Sequence, residues 1–317
     1  MGESTTGGPA MVAPRALLVI HNPTAGRRRR RRLAAALQAL EAGGCRIDLR
    51  ATTGPGDAEG LARDAAASGC DRLVVAGGDG TINEAITGLV AGGTRLPLAL
   101  IPLGTANVLA AEIGLPRDPR TLARTILEGR PRRIALGRIR PADGPPRVFA
   151  MMAGVGFDAH AVAGLDPGLK RRFGKAAYYG EILRQLFAFP FPGYRGRVET
   201  PDGGTQGFEA ASLVVAKGHY YAGAYVFAPE ARLHEPLLHL CLFTRSGRLA
   251  ALRYGLALQL GLLPRLKDFR IVPATRVALD GPAGDPVQAD GDLIARLPAV
   301  FEVVPEALDL VMPAETS

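Results

Sequence analysis

The stretch VVAGGDGTINEAITGL, residues 74–89, contains the pattern that decides the fold. Apolar residues typical of a buried strand lead into two glycines, and an amphipathic helical pattern follows at once, with its apolar stripe on Ile82, Ala85, Ile86, Leu89 and Val90. A glycine-rich turn before a helix is typical of a phosphate-binding turn. Asp79 stands in that turn, where a lone carboxylate would repel phosphate, so its position needs an explanation.

The same strand–turn–helix pattern recurs throughout residues 13–137. Strands are expected at 16–20, 46–51, 73–76 and 98–101, and a helical pattern follows each of them. Such units in series predict a doubly wound parallel sheet with helices on both faces. Ligands bind such sheets at the carboxyl ends of the strands.

The pattern changes after about residue 138, where short strand-like runs and hairpin signals such as PDGG (201–204) predominate. We expect a mostly antiparallel β domain over 138–293, interrupted by helices near 175–188 and 248–263. The final stretch AVFEVVPEALDLVMP closes the second domain or returns to the first, and we assign 294–317 to the first. Residues 1–12 are expected to form a flexible N-terminus.

Composition narrows the class of protein. Three widely spaced cysteines in 317 residues indicate no disulfide framework, which is typical of a reducing cytosol. The N-terminus lacks the apolar segment of a signal peptide, so we expect a cytoplasmic protein. The net charge of +8 favours anionic partners such as nucleotides, lipid headgroups or nucleic acid, without choosing among them.

Four turns fall at strand ends in the first domain, and they would converge at one edge of the sheet. They are HNPTAG (21–26), TTGPGD (52–57), GGDGTIN (77–83) and PLGTAN (102–107). Each offers small residues and backbone N–H groups suited to anions, so together they predict a nucleotide cleft. No Walker A sequence is present, and GVGFDA (154–159) lacks the βαβ context of a dinucleotide site, so we interpret it as a turn.

These motifs resemble the catalytic domain of the diacylglycerol kinase family. The family belongs to the superfamily of lipid kinases that includes sphingosine and ceramide kinases, and it is related through GGDG to NAD kinases. The resemblance continues through GFDA, APEA (228–231), LLHLCLF (237–243) and ADGD (289–292), so it covers nearly the whole chain. It implies an N-terminal nucleotide domain, a C-terminal β-sandwich, and ATP in the cleft between them.

The resemblance also implies a nucleotide site, carried over by position to Asn22, Arg27, Thr52, Gly77, Gly78, Asp79, Gly80, Thr81, Asn83, Gly104 and Thr105. Arg27 stands where many relatives have lysine and would neutralise phosphate charge. Mg²⁺ between Asp79 and phosphate would explain the carboxylate in the turn, because this ion takes one or two carboxylates together with phosphate oxygens. The other arginines of the run, residues 28–32, form a solvated helix face or contact anionic membrane.

The hairpin QADGD (288–292) supplies the candidate base. Relatives carry Asp-Gly-Glu here, whereas this chain has Asp290, Gly291 and Asp292, and the sequence does not separate the two aspartates. An Asp-Gly hairpin turn without catalytic function is the alternative. Relatives also hold a structural Mg²⁺ where this chain has Glu235 and Pro236, so we expect that second site to be weakened or empty, with Glu235 as ligand if an ion remains.

The resulting hypothesis is an ATP- and Mg²⁺-dependent lipid kinase, a transferase of phospholipid metabolism acting on diacylglycerol or a similar lipid. Ceramide or a sphingoid base, an NAD-kinase-like soluble reaction, and a non-catalytic binding member are the alternatives. We expect transient contact with the membrane surface and no nucleic-acid partner, and leave a homodimer open. The stretches at 177–191 and 252–264 are apolar enough to contact lipid but equally suit core helices.

Overall fold

The computed structural model describes residues 15–23, 26–165 and 175–314. The expected flexible segment 1–12 and two residues of the HNPTAG turn, Thr24 and Ala25, lie outside these ranges. All of the predicted site residues fall within the described ranges.

The first part of the chain forms a parallel sheet in the order β2-β1-β3-β4. Its strands are β1 (Ala16–His21), β2 (Arg46–Ala51), β3 (Arg72–Gly77) and β4 (Leu98–Pro102). The helices are α1 (Arg27–Ala42), α2 (Asp57–Arg63), α3 (Asp79–Ala91), α4 (Val108–Glu112) and α5 (Pro119–Glu128). The doubly wound nucleotide-domain fold predicted from the strand–helix alternation is therefore confirmed.

The two faces of this sheet carry different helices because neighbouring strand residues point to opposite sides. Leu17 and Val19 pack with Leu33 and Leu40 of α1, and α5 covers the same face. Leu18 and Ile20 pack on the other face, where α2 and α3 lie. Helix α2 ends at Arg63, and a separate 3₁₀ turn follows over Ala65–Ser68.

The second part of the chain is mostly antiparallel, as predicted. Its strands are β5 (Arg130–Pro141), β6 (Arg147–Phe149), β7 (Met152–Val155), β8 (Tyr194–Glu199), β9 (Thr205–Ala210), β10 (Ser212–Ala216), β11 (Tyr220–Tyr221), β12 (Tyr225–Val226), β13 (Leu238–Phe243), β14 (Phe269–Ala274), β15 (Arg276–Asp280), β16 (Pro286–Ala289), β17 (Asp292–Arg296) and β18 (Ala299–Met312). Among the described residues, the α-helices between these strands are α6 (Phe157–Ala163), α7 (Lys175–Ala188) and α8 (Arg248–Gln259).

Strand β18 joins the two parts of the molecule. Its first half pairs antiparallel with β15, its whole length pairs with β5, and near its end it lies parallel to β4. The parallel sheet therefore continues into one layer of the β-sandwich, and the other layer is the sheet β14-β13-β10-β7-β16-β17. Val277 and Phe301 of the first layer pack with Leu213 and Leu240 of the second.

Within the described ranges, no helix is both long enough and apolar enough to span a membrane.

Candidate active site

The GGDG and PLGTAN turns pass each other with their backbones in contact. A methyl group added at Gly78 would lie 3.2 Å from the Cα of Gly104, and one added at Gly104 would lie 2.6 Å from the Cα of Gly78. No side chain fits between them, so both positions require glycine for a steric reason. Asn107, with φ of 50°, closes the second turn: its Oδ1 accepts from the Gly104 N–H at 2.7 Å.

Asp79 connects these two turns through its carboxylate. Its Oδ2 accepts from the backbone N–H of Asn107 at 2.9 Å, and its Oδ1 accepts from the N–H of Val108 at 2.7 Å. The carboxylate therefore caps the first turn of α4, where its charge is favoured by otherwise unpaired N–H groups. This contact adds a second reason for an acid in a glycine-rich turn, beside the metal-bridging role implied by the family resemblance.

Burial raises the pKa of Asp79, and the nearby carboxylate of Asp292 raises it further, while the two backbone hydrogen bonds lower it. Burial also raises the pKa of Asp290, to about 6, with a smaller contribution from the charge of Asp79. Three carboxylates from two domains thus lie within electrostatic reach of one another. Their mutual repulsion favours a cation among them.

The QADGD segment forms a two-residue hairpin between β16 and β17, with Asp290 and Gly291 at φ of 49° and 90°. Positive φ at both positions is the reason for Asp-Gly in such turns. The Asp290 carboxylate accepts from the backbone N–H groups of Ala150, Met151 and Met152 at 2.7 to 3.0 Å. Asp290 is therefore fixed to the strand connection between β6 and β7.

Asp292 faces the nucleotide domain. A methyl group added at Gly80 would lie 2.6 Å from Oδ2 of Asp292. The hairpin of the β domain therefore reaches the first turn of α3, and the glycine makes room for the carboxylate. Geometry separates the two aspartates that the sequence left equivalent: Asp290 holds the hairpin, and Asp292 lies against the GGDG turn.

A buried polar network of hydrogen bonds holds the hairpin in place. Gln288 accepts from the Gly291 N–H at 3.0 Å and donates to Asp158 at 2.6 Å. The hydroxyls of Tyr178 and Tyr221 also donate to Asp158, whose pKa is raised by burial. Asp158 belongs to the GFDA motif, which the sequence analysis interpreted as a turn. Its carboxylate is the anchor of this network.

The residues after β4 place a further carboxylate between the domains. Glu112, at the end of α4, accepts from the backbone N–H groups of His219 and Tyr220 at 3.0 and 3.1 Å. The helix capped by Asp79 is thus tied at its other end to the β domain. The sequence contained no signal for this contact, because the partners lie more than 100 residues apart.

Two profile matches cover most of the chain. The profile described as "Diacylglycerol kinase catalytic domain" matches residues 16–139, and the one described as "YegS C-terminal NAD kinase beta sandwich-like domain" matches residues 151–312. The chain belongs to the diacylglycerol kinase catalytic-domain family. The family resemblance inferred from GGDG and the motifs after it is confirmed, and the chain is a kinase.

Named relatives agree with this assignment. The "Probable lipid kinase YegS-like" of Pseudomonas aeruginosa is 32% identical over 305 residues, 95% of each chain. The "Diacylglycerol kinase" of Bacillus subtilis is 30% identical over 303 residues, 94% of this chain and 96% of that protein. A crystal structure of a diacylglycerol kinase from Bacillus anthracis superposes with a TM-score of 0.74 at 23% identity, covering 94% of this chain and 97% of that one, which shows a shared fold.

In this kinase the four predicted phosphate turns are not equivalent. At TTGPGD, the backbone N–H groups of Thr53 and Gly54 donate to Asp57, and at PLGTAN those of Asn107 and Val108 donate to Asp79. These donors are already paired with carboxylates, so they are poorly placed to bind phosphate. Thr52 is buried at the end of β2, and its N–H donates to the His21 carbonyl at 2.9 Å.

A cavity of about 270 Å³ adjoins the carboxyl ends of β1 and β4. Its walls include His21, Asn22, Arg30 and Leu103. Arg29 reaches the PLGTAN turn, where its guanidinium donates to Thr105 Oγ1 at 3.2 Å. Arg27 is the exposed first residue of α1. None of the three aspartates is among the described residues that line this cavity.

The remaining predicted residues follow the GGDG turn into α3. Thr81 packs its side chain on Gly77, where an added methyl group would lie 2.7 Å from the Thr81 Cβ. Asn83 is buried, and its Oδ1 has no hydrogen-bond partner within the described residues. An unpaired buried amide oxygen at a predicted nucleotide residue is a donor-seeking group that a ligand or water would satisfy.

Glu235 lies in a different electrostatic setting from the aspartates. The ammonium of Lys217 donates to the Arg232 carbonyl, three residues before Glu235. Lys217 is completely buried, and burial lowers its pKa to about 8, with Glu235 and Glu112 opposing that shift. A lysine cation thus stands next to the predicted ligands. The sequence analysis missed it, although a charged residue directly after the apolar run SLVVA was a usable signal.

The carboxylates around Asp79 fit Mg²⁺ as part of a set of ligands that also includes phosphate and water. No three acidic, histidine or cysteine side chains among the described residues are grouped closely enough to hold a metal ion alone. The ion would therefore need phosphate oxygens and water beside Asp79, which is the usual coordination of nucleotide-bound Mg²⁺. The carboxylate repulsion described above is an independent reason for a cation here.

Proposed function

We propose that this kinase transfers the γ-phosphoryl group of ATP to a hydroxyl of diacylglycerol or a closely similar lipid. One observation carries the assignment: Asp292, from the β domain, lies against Gly80 in the glycine-rich turn of the nucleotide domain. A carboxylate opposite a nucleotide turn is the arrangement that phosphoryl transfer needs, because the base must stand beside an acceptor hydroxyl in line with the phosphate.

Asp292 acts as the base in this proposal. Its carboxylate accepts the proton of the lipid hydroxyl while that oxygen attacks the γ-phosphorus, and the bond from phosphorus to the bridging oxygen breaks to release ADP. Asp290 acts as a positioning residue. Its three backbone hydrogen bonds fix the hairpin to the connection between β6 and β7.

Asp79 and the turns around it form the nucleotide side of the cleft. The carboxylate holds the PLGTAN turn and α4 in place, and Gly78 and Gly104 allow the two turns to come together. Bound Mg²⁺ would neutralise the negative charge of the phosphates, including the charge that develops on the leaving group. The Arg29 guanidinium beside Thr105 adds a fixed positive charge near the same edge.

We propose the domain division expected from the sequence, in which residues 13–137 with 294–317 bind nucleotide and 138–293 form the lipid-substrate domain. Strand β18 gives this division its support, since it carries the end of the chain back beside β4. We favour a lipid as acceptor because two relatives, 30% and 32% identical over nearly their full length, are named as a diacylglycerol kinase and a probable lipid kinase.

The test is a transfer assay with labelled ATP and Mg²⁺ against diacylglycerol, ceramide, sphingosine and NAD in parallel. We expect labelled phosphatidic acid as the principal product. A preference for ceramide or sphingosine would move the acceptor within the lipid class, and labelled NADP would overturn the lipid assignment. No transfer to any acceptor, with ATP still bound, would indicate a non-catalytic member.

Asp292→Asn and Asp280→Asn provide a matched pair for that assay. Asp280 is an exposed aspartate at the end of β15 in the same domain. The first variant should lose transfer while the second keeps it. Equal loss in both would remove Asp292 from the mechanism.

A further inference from the structure

Most of the large apolar side chains that the described chain exposes are concentrated on one surface. Nine such residues are exposed, and seven of them lie on α7, on α8 or in the turn after α8. They are between 40% and 83% exposed. We name this surface the leucine patch; it consists of Leu183, Phe187, Leu249, Leu252, Leu256, Leu260 and Leu262. Contiguous apolar surface of this kind marks an interaction site more often than single exposed residues do.

Helix α8 exposes an apolar stripe to solvent in addition to the apolar residues that it buries. Tyr254 and Ala257 are buried on its inner face. Leu249, Leu252, Leu256 and Leu260 recur at the spacing of a single helix face on the opposite side. The core contacts the opposite face of the helix, so these leucines are not core residues. The alternative that 252–264 is an ordinary core helix is therefore wrong for them.

Helix α7 lies beside the beginning of α8. The Arg248 guanidinium donates to the Phe187 carbonyl at 3.1 Å and lies 5.4 Å from the centroid of the Phe187 ring. Leu183 and Phe187 are one turn apart and both exposed, while Gln185 and Phe189 of the same segment are buried. The exposed faces of the two helices thus meet at Phe187 and Arg248.

Positive charge accompanies the leucine patch. Between residues 244 and 270 the chain has six basic residues and one acid, Asp268, which is paired with Arg253. The other five basic residues, Arg245, Arg248, Arg265, Lys267 and Arg270, are exposed, and none forms an ion pair within the described ranges. Basic residues therefore precede and follow the leucine row along the chain.

We propose that the leucine patch is a docking surface for an anionic phospholipid membrane. Apolar side chains on a helix face flanked by unpaired basic residues match the boundary between acyl chains and negatively charged headgroups. A symmetric pairing of two copies through the same patch fits less well, because it would bring like charges together around the contact. The proposal rests on the proposed function in one respect: a lipid kinase has to reach a membrane-bound acceptor.

The experiment measures binding of the full chain to vesicles without ATP. Vesicles of phosphatidylcholine alone are compared with vesicles that also contain phosphatidylglycerol, and binding is followed by co-sedimentation. We expect binding to the anionic vesicles, weakened by salt. The double variant Leu252→Gln/Leu256→Gln should bind them at least about tenfold more weakly, because two exposed leucines no longer enter the bilayer boundary.

Matched variants separate the patch from general surface effects. Leu49→Gln changes an exposed leucine on β2, outside the patch, and should bind vesicles as the wild type does. Arg265→Gln should weaken binding by about fivefold, the contribution of one basic residue near an anionic surface. Arg46→Gln, an exposed arginine on β2, is its control and should have little effect.

Unchanged vesicle binding in the leucine double variant would overturn the proposal. If that variant instead abolishes a concentration-dependent dimer seen by analytical ultracentrifugation, the patch binds a second copy and the membrane assignment is wrong. Turnover of a short-chain, dispersed diacylglycerol distinguishes this failure from failure of the proposed function. Docking variants should retain that turnover, whereas a wild type that binds vesicles but transfers no phosphate would refute the function and leave the docking surface intact.

Discussion

Two regions of this kinase bring carboxylates together with buried backbone groups, but they differ in the source of positive charge. At the cleft, burial and a neighbouring carboxylate raise the pKa of Asp79 and of Asp290, and the amide N–H groups that bind these two side chains supply only partial positive charge. In the loop at 228–237, Lys217 places a full ammonium next to the Arg232 carbonyl and within reach of Glu235. We therefore expect the first region to bind an external cation, whereas the second has the ammonium of Lys217.

The largest effect is expected at Asp292. Asp292→Asn should lower kcat by about 10²–10⁴-fold, the usual contribution of a positioned base, while ATP binding measured by calorimetry changes little. Asp292→Glu should keep much of the activity, because it retains the carboxylate and lengthens its reach. A normal kcat in Asp292→Asn would show that Asp292 is not the base, and the cleft would then differ from the second region only in its charge.

Asp79→Asn should lower kcat by about 10²-fold or more and also destabilise the fold by about 1–3 kcal/mol. The amide keeps one acceptor oxygen for two backbone donors, so one buried N–H loses its partner. Turnover and urea unfolding measure the two effects separately.

Asp71→Asn is the control for that variant. The Asp71 carboxylate also accepts from two backbone N–H groups, those of Arg15 and Ala16, but at the amino end of the sheet. It should lose stability and keep turnover. Loss of activity in both variants would show that the Asp79 effect is a folding effect.

Asp290 should make stability depend on pH between about 4 and 6. Its folded pKa of about 6 lies above the ordinary aspartate pKa of 3.8, so the folded state binds the proton more tightly than the unfolded state. The contribution is fully present below about pH 4 and is lost as pH rises through 6, by about 3 kcal/mol over the whole range. The free energy of unfolding of wild type relative to Asp290→Asn should therefore fall over this interval in Mg²⁺-free buffer.

If the difference in unfolding free energy between wild type and Asp290→Asn stays constant from pH 4 to 6, the raised pKa of Asp290 is contradicted. The same titration with Mg²⁺ and a nucleotide sharpens the comparison, because a bound cation should move the transition to lower pH by favouring the ionised carboxylate.

The smallest effect concerns the second region. Mg²⁺ without nucleotide should leave the Tm of the wild type almost unchanged, because Lys217 already supplies the cation beside Glu235. Lys217→Ala should lower Tm, and Mg²⁺ should partly restore it. Lys267→Ala, which removes an exposed lysine, should show neither change. A large Mg²⁺-induced rise in the wild type that disappears in Glu235→Gln would show an intact metal site there.

Local patterns in the sequence were sufficient for the strand–helix units and for the Asp-Gly hairpin, because each depends on residues a few positions apart. The apolar stripe of α3 and the glycines before it predicted a helix after the GGDG turn; that helix is present, but it already begins at Asp79, which the sequence placed in the turn. The Asp290-Gly291 pair predicted a two-residue turn, which is present between β16 and β17. The relation of the chain to lipid kinases followed from the same motifs.

Contacts between distant residues were beyond those patterns. Asp79 caps a helix 29 residues later, and Asp290 is held by backbone N–H groups about 140 residues earlier. The sequence could not distinguish Asp290 from Asp292, because the difference lies in which one meets amide groups and which one meets Gly80. It also left open whether the leucines of 252–264 are core or surface, because a helix apolar on both faces has no periodicity that identifies its inner side.

The sequence by itself determined the two kinds of domain, the glycine-rich turns and the family, because backbone conformation and apolar periodicity are local properties of the chain. Only the tertiary structure decided which carboxylate is a cap, which is a hairpin anchor and which faces the nucleotide turn. A carboxylate takes its function from the donors and charges that surround it, and these are brought together from both domains when the sheet closes through β18.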